Sequence, residues 1–370
     1  MTNFLRILSG CLVGAFLAFA GGLHFQVKAD ELSKASKAVK AATNEELLAE
    51  FQRRFQTRTR GLRSLNEKAL PGRAVSPLAE IDDGALVVAA RTRSRAIYGI
   101  DTRVEYFEIK EDAVKSVARS SVALFFGESV EPAGQSASLV TRPLQKSHGI
   151  WHRQLDLCPG EKFASEPVGA FCSGTLVRED IVLTAGHCVS EISNSPNIPP
   201  IGGVRFVFGY RVEKDGVNPT RIPNSQIFSG YELLGGETNT TRDWALIRLD
   251  RPVPAEIASP VTGWSTGVAK GAKVFVIGYP SGIPLKYAPG AEVRDDSDPN
   301  YFVANLDTFG GNSGSGVSDQ TTKKLAGILF RGDTDYVEDK SKSCMRVNVC
   351  PRTGCSGEYV TRLDEPAKRL

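Results

Sequence analysis

Through most of the chain, apolar and polar positions alternate in short runs, as in Arg103–Ile109, Ile181–Thr184, Val204–Phe208, Trp244–Leu249 and Lys273–Ile277. A two-residue period sends successive side chains to opposite faces of an extended strand. Clusters of Gly, Pro, Asn and Asp, as at 193–203 and 295–300, separate the runs. Many short strands with few helical windows predict an all-β protein, a sandwich or a pair of barrels. From residue 96 to residue 370 there is too much of this texture for one small barrel. Two are therefore expected, over about 96–255 and 256–370. Arg362–Leu370 predicts a short terminal helix, and no sequence repeat of fixed period is visible.

Before residue 96 the pattern is different. Arg6 precedes an apolar stretch from Ile7 to Ala20 that is short for a membrane span and reads as a signal peptide, with cleavage expected after Ala20 or Ala29. Residues 1–29 are assigned to it. Residues 30–95 carry no Cys and no Trp, and Thr43 with Glu46 forms a capping-box signature ahead of Leu47, Leu48, Phe51 and Phe55 at helical spacing. One amphipathic helix is predicted at about 43–60. A Pro/Gly/Ser stretch at 71–77 and the basic residues Arg91, Arg93 and Arg95 follow. That order fits a pro-segment ending at a processing site, with a flexible linker as the alternative.

Composition narrows the class further. With 45 Lys+Arg against 42 Asp+Glu and no isolated basic run, the chain has no nucleic-acid footprint, so no nucleic-acid partner is expected. Nor is stable membrane association expected after signal removal. A 41% hydrophobic content excludes disorder of the whole chain. Removing Cys11 with the signal leaves Cys158, Cys172, Cys188, Cys344, Cys350 and Cys355. An even number in an exported chain points to disulfides, three of them, and to a secreted or periplasmic location. No CxxC pair exists, so no metal site is expected, and no cofactor. Spacing leaves the pairing of Cys158, Cys344, Cys350 and Cys355 open.

Three segments carry the chemistry. In the first, Phe171-Cys-Ser-Gly-Thr-Leu-Val177 leads to Leu183-Thr-Ala-Gly-His-Cys188, which presents His187 on a turn. Cys188 can close back onto Cys172 and fix that loop. Histidine suits a general base because its ordinary pKa lies near physiological pH. His148 and His152 sit in no motif. The second segment, Arg242-Asp-Trp-Ala-Leu-Ile-Arg-Leu249, starts an apolar strand with Asp243. A buried carboxylate there needs a donor, and an imidazole N–H supplies one. Alone, Asp243 reads as a turn residue. The third is Asp307-Thr-Phe-Gly-Gly-Asn-Ser-Gly-Ser-Gly316, whose glycines permit the tight backbone that lifts the Ser313 Oγ toward a base. The backbone N–H groups of Gly311 and Ser313 are candidate oxyanion donors. Ser315 is the rival nucleophile.

TAGHC, DWALI and GNSGS in this order resemble the trypsin/chymotrypsin superfamily of serine endopeptidases, in its bacterial trypsin-like and glutamyl-endopeptidase-like branch. The resemblance covers about Ala96 to Leu370 and includes Ile97-Tyr-Gly-Ile-Asp-Thr-Arg103. It implies two six-stranded antiparallel β-barrels and a Ser-His-Asp triad acting on protein or peptide substrates through an acyl-enzyme. By that likeness His187 is the base, Asp243 its orienter and Ser313 the nucleophile. Asn312 stands where animal trypsins have the Asp of their activation switch, and Gly316 where relatives commonly have Pro. The likeness places Asp307, Leu329, Phe330 and Gly332 in the substrate pocket. Leu329 replaces a histidine of glutamyl endopeptidases, and a carboxylate at 307 would favour a basic side chain before the scissile bond; the alternative is a carboxylate turned away into a structural hydrogen bond or neutralised by Arg331. The competing reading is a catalytically silent protease-like binding module. The oligomeric state is not set by the sequence.

Overall fold

The computed structural model describes residues 96–147, 156–265 and 267–370. The expected signal peptide, the helix expected at 43–60, the expected pro-segment, His148 and His152 lie outside the described residues. Six strands form a first closed barrel: β1 Ser121–Phe126, β2 Cys172–Arg178, β3 Ile181–Thr184, β4 Val204–Val207, β5 Ile227–Thr238 and β6 Asp243–Leu249. Around it they run β1-β2-β3-β6-β5-β4 and back to β1, every pair antiparallel. Six more strands form the second: β7 Lys273–Gly278, β8 Lys286–Asp295, β9 Tyr301–Ala304, β10 Gly316–Asp319, β11 Leu325–Arg331 and β12 Glu358–Arg362. Their order is β7-β8-β9-β12-β11-β10, closed by β10 on β7. The two barrels thus share one connectivity although no repeat is legible in the sequence. A strand order can recur while the residues that fill each barrel differ.

The expected alternation divides each strand between two apolar regions. In β1, Val122 and Leu124 enter the first barrel's interior, while Ala123 and Phe125 face outward onto Tyr210, Phe275 and helix α1, Asp112–Ser120. In β6, Ala245, Ile247 and Leu249 point inward; Trp244 and Leu246 join Leu325, Ile328 and Leu363 in the seam between the barrels. Strands buried on both faces therefore read as near-continuous apolar runs. The second interior holds Val274, Val276, Phe302, Val317, Leu329 and Val360. The terminal helix spans Asp364–Ala367.

Three disulfides join Cys172 to Cys188, Cys158 to Cys344 and Cys350 to Cys355. The first closes a span of 16 residues, a constraint on the unfolded chain worth roughly 3 kcal/mol. Residues 96–105 differ from the expectation that they open the first barrel. Ile97–Tyr98 pairs in parallel with Val349–Cys350, and Val104–Glu105 pairs with Lys286–Tyr287 at the edge of the second barrel. The predicted strand Arg103–Ile109 is cut short by a 3-10 turn at Tyr106–Glu108.

One buried ion cluster ties that edge down. Lys286 Nζ donates to Glu105 (3.0 Å), Glu166 (2.7 Å) and the Pro284 carbonyl (2.9 Å), with its side chain almost fully buried. Two carboxyls share one ammonium. Burial and the hydrogen bond with Glu166, opposed by Lys286, push the Glu105 carboxyl up to about 8. The folded protein then keeps a proton that the unfolded chain releases above its ordinary carboxyl range. This contribution is complete at low pH and is lost as pH rises through about 8. The thermal midpoint is expected to fall between pH 5 and 8.5, and Glu105→Gln to flatten that fall. Paired melting curves across this range check it, and parallel curves for the two proteins would count against it.

Candidate active site

His187 sits in a 3-10 turn, Gly186–Cys188, directly after β3. The Cys172–Cys188 bond ties this turn to the start of β2. Asp243 is the first residue of β6, and Ser313 lies in the loop between β9 and β10. The first barrel thus supplies two of the groups and the second barrel the third. Asp243 Oδ2 is 2.8 Å from His187 Nδ1, and His187 Nε2 is 2.7 Å from Ser313 Oγ. All three residues are buried, Asp243 completely. With Nδ1–H directed at the carboxylate, Nε2 presents its lone pair to the serine hydroxyl; the hydrogen-bond network assigns this tautomer.

A fully buried carboxylate demands donors, and Asp243 has several. The His187 backbone N–H donates to Oδ1 (3.0 Å), and the Thr238 hydroxyl donates to Oδ2 (3.1 Å). From the second barrel, Thr361 Oγ1 accepts from the Asp243 N–H and lies 3.1 Å from its carbonyl oxygen. The sequence reading missed both threonines. Thr238 lies five residues before Asp243 across the β5–β6 turn, a signal that could have been found. Thr361 is 118 residues away and carried none.

Ser173, next to the bonded Cys172, holds the serine loop from behind. Its Oγ donates to the Gly311 carbonyl (2.7 Å), and its N–H donates to the Ser313 carbonyl (2.8 Å). Gly314 has φ +85°, and a Cβ there would lie 2.1 Å from the Ser173 oxygen, so the position admits only glycine. The Ser281 N–H donates to the Gly310 carbonyl (2.5 Å), and the Ser315 N–H to the Asn312 carbonyl (2.9 Å). In a planar trans peptide the N–H points opposite to its carbonyl. The Gly311 and Ser313 N–H groups are therefore turned away from these partners. Ser315 Oγ donates to Asn312 Oδ1 (3.2 Å), which directs it away from the imidazole.

The four residues expected in a substrate pocket separate. Leu329 is fully buried in the interior of the second barrel, because its place in β11 points it inward with Val317 and Val360. Phe330 points the other way, 6.4 Å from the Tyr301 ring and 6.3 Å from the Tyr359 ring. Gly332 lies against Glu358, whose Oε2 is 1.9 Å from where a Cβ would stand. Asp307 does not offer a free carboxylate: Tyr98 N–H donates to Oδ1 (2.8 Å), and Thr102 approaches Oδ2 with its N–H (3.1 Å) and hydroxyl (2.8 Å). Burial raises the Asp307 pKa, against the pull of these donors. Both of its oxygens are therefore engaged within the fold. Cys172, His187 and Cys188 come close enough to resemble a metal set, but both sulfurs are committed to the disulfide.

Residues 172–328 match the model of the trypsin-like peptidase domain. A trypsin-like protease of Streptomyces glaucescens is 32% identical over 212 residues, which cover 51% of this chain and 69% of that protein. The glutamyl endopeptidase of Bacillus licheniformis is 25% identical over 167 residues, 43% of this chain and 48% of that protein. Among solved structures, a Glu endopeptidase in complex with MPD aligns over 74% of this chain and 97% of its own, at 16% identity and a TM-score of 0.42.

The threonine contact yields a direct test. Thr238→Val keeps the shape but removes one donor from the buried carboxylate, which at about 1.5 kcal/mol corresponds to roughly a tenfold fall in any turnover that depends on it. Steady-state kinetics beside a melting curve would show this as lost kcat without lost fold. An unchanged kcat would mean that the other donors suffice.

Proposed function

Because this chain belongs to the trypsin-like serine protease family and is a serine-type endopeptidase, we propose that His187, Asp243 and Ser313 are its catalytic residues. One observation carries this reading: an unbroken chain of hydrogen bonds from Asp243 through His187 to Ser313 Oγ. His187 Nε2 takes the proton as Oγ adds to the scissile carbonyl, and the N–H groups of Gly311 and Ser313 receive the oxyanion. The imidazolium returns that proton to the leaving amine, giving an acyl-enzyme. Water, deprotonated by the same imidazole, then adds to the acyl carbonyl, and Ser313 Oγ departs with a proton. Asp243 holds the tautomer throughout and stabilises the imidazolium.

The reading extends to the life of the chain. Residues 1–29 are a signal peptide and the protein works outside the cytoplasm, a placement supported by the three disulfides. Residues 30–95 are a pro-segment removed near Arg95, and 96–370 are the protease. The basic residues at 91–95 and the full burial of Ala96 and Ile97 immediately after them support that boundary.

Two experiments test this. A serine-directed phosphonate should label the wild-type chain and fail to label Ser313→Ala, while Asp243→Asn should lower turnover by about four orders of magnitude with the fold intact. A wild-type chain that takes no label would favour the silent binding module. N-terminal sequencing of exported material is expected to read from Ala96 or Ile97; a start near Asp30 would remove the pro-segment.

A further inference from the structure

The segment leading to Ser313 is held almost residue by residue by the stretch Ala96–Arg103. Asp307 takes its donors from Tyr98 and Thr102. The next residue, Thr308, donates its N–H to the Ala96 carbonyl (3.3 Å). Phe309 lies under the Arg103 guanidinium, whose Cζ is 4.2 Å from the ring centroid. That guanidinium is itself fixed by Asp101, through Nε (2.9 Å) and Nη2 (2.7 Å), and Arg103 is only 2% exposed. The Gly310 N–H then donates to Asp335 Oδ2 (3.0 Å), and the Phe309 carbonyl accepts from Asn312 N–H (2.9 Å). At its other edge the stretch is tied down by Ile97 N–H to the Asn348 carbonyl (3.0 Å) and Gly99 N–H to the Cys350 carbonyl (2.9 Å).

Resting on the proposed roles of Gly311 and Ser313, we infer that Ala96–Arg103 is a positioning strap that sets the oxyanion donors, with Thr102, Arg103 and Asp307 as its positioning residues. The physical reason is the lever each contact controls. Gly310 and Gly311 bracket the peptide whose orientation aims the Gly311 N–H, and Phe309 and Gly310, which lead the chain into it, are not anchored by their own short loop alone. Fixing the Asp307 carboxylate and the Phe309 ring fixes the chain direction into that peptide. None of the contacts requires a free amino terminus, since the donors are internal N–H groups, a hydroxyl and a guanidinium. The strap therefore acts on the transition state, where the oxyanion forms, more than on ground-state substrate binding. Asp307 has a different task from the one its place before the serine suggests: it holds the serine loop and does not read the substrate.

The test uses the mature full-length chain and the best-cleaved of matched Arg-, Glu- and Phe-containing reporter peptides. Thr102→Val, Arg103→Met and Asp307→Asn are each expected to lower kcat by roughly tenfold to a hundredfold with KM within about threefold. Affinity for a peptide trifluoromethyl ketone, which forms an oxyanion on the enzyme, should fall in step with kcat. Affinity for the matching non-reactive peptide amide, and the order of preference among the three reporters, should stay unchanged. Thr102→Ser should restore kcat, which guards against a variant that merely folds badly. Equal kcat in the variants, an equal loss of affinity for ketone and amide, or no rescue by Ser would overturn the strap. Absence of phosphonate labelling in the wild-type chain would instead overturn the reading of Ser313 on which the strap rests.

Discussion

The burial of the Asp243 carboxylate is the constraint around which the cleft is built. A charge removed from water is tolerated only where donors surround it, and the chain meets that demand from two directions while a third contact holds the backbone. The His187 turn provides a backbone and a ring donor, β5 provides a hydroxyl, and β12 crosses the seam to engage the Asp243 backbone. Satisfying the carboxylate and orienting the imidazole are one act. The apolar seam of Trp244, Leu246, Leu325, Ile328 and Leu363 beside it excludes the water that would otherwise compete for those bonds.

The serine loop answers to a second constraint, since it must be rigid without being regular. It has no ladder of its own between β9 and β10, so its polar groups are satisfied by neighbours. Ser173 takes two of its backbone groups from the first barrel, Ser281 takes a third, and β11 clamps the far side through the Gly314 N–H and the Leu329 carbonyl (2.8 Å). The disulfide at Cys172 thereby steadies the loop indirectly, through the residue that follows it, as well as the turn that carries His187.

Much of this was legible in the sequence, and the division has a physical basis. The strands at Ile181, Val204, Trp244 and Lys273 were readable because a short apolar run bounded by turn residues is a local property of the chain. The residues of the hydrogen-bonded chain were readable because each sits in a short motif whose composition permits one backbone shape. Thr361 and Ser173 were not, since their value arises only when two barrels meet. The orientation of Asp307 was not legible either, since it depends on Tyr98 and Thr102, more than 200 residues earlier. Leu329 faces the barrel interior because of its phase along β11, a matter that one residue of register decides.

Strand order in the second barrel also sets an order on events. β12 is the strand that pairs β9 with β11, and Thr361 on it is what reaches across to Asp243. A chain emerging from its ribosome presents His187, Asp243 and Ser313 before it presents Glu358–Arg362. Until β12 is made, β9 and β11 lack the strand that pairs with both, and Asp243 lacks its contact with Thr361. Between the making of Ser313 and that of Glu358 the chain thus holds all three side chains without the strand that completes their surroundings, an interlock written into strand order.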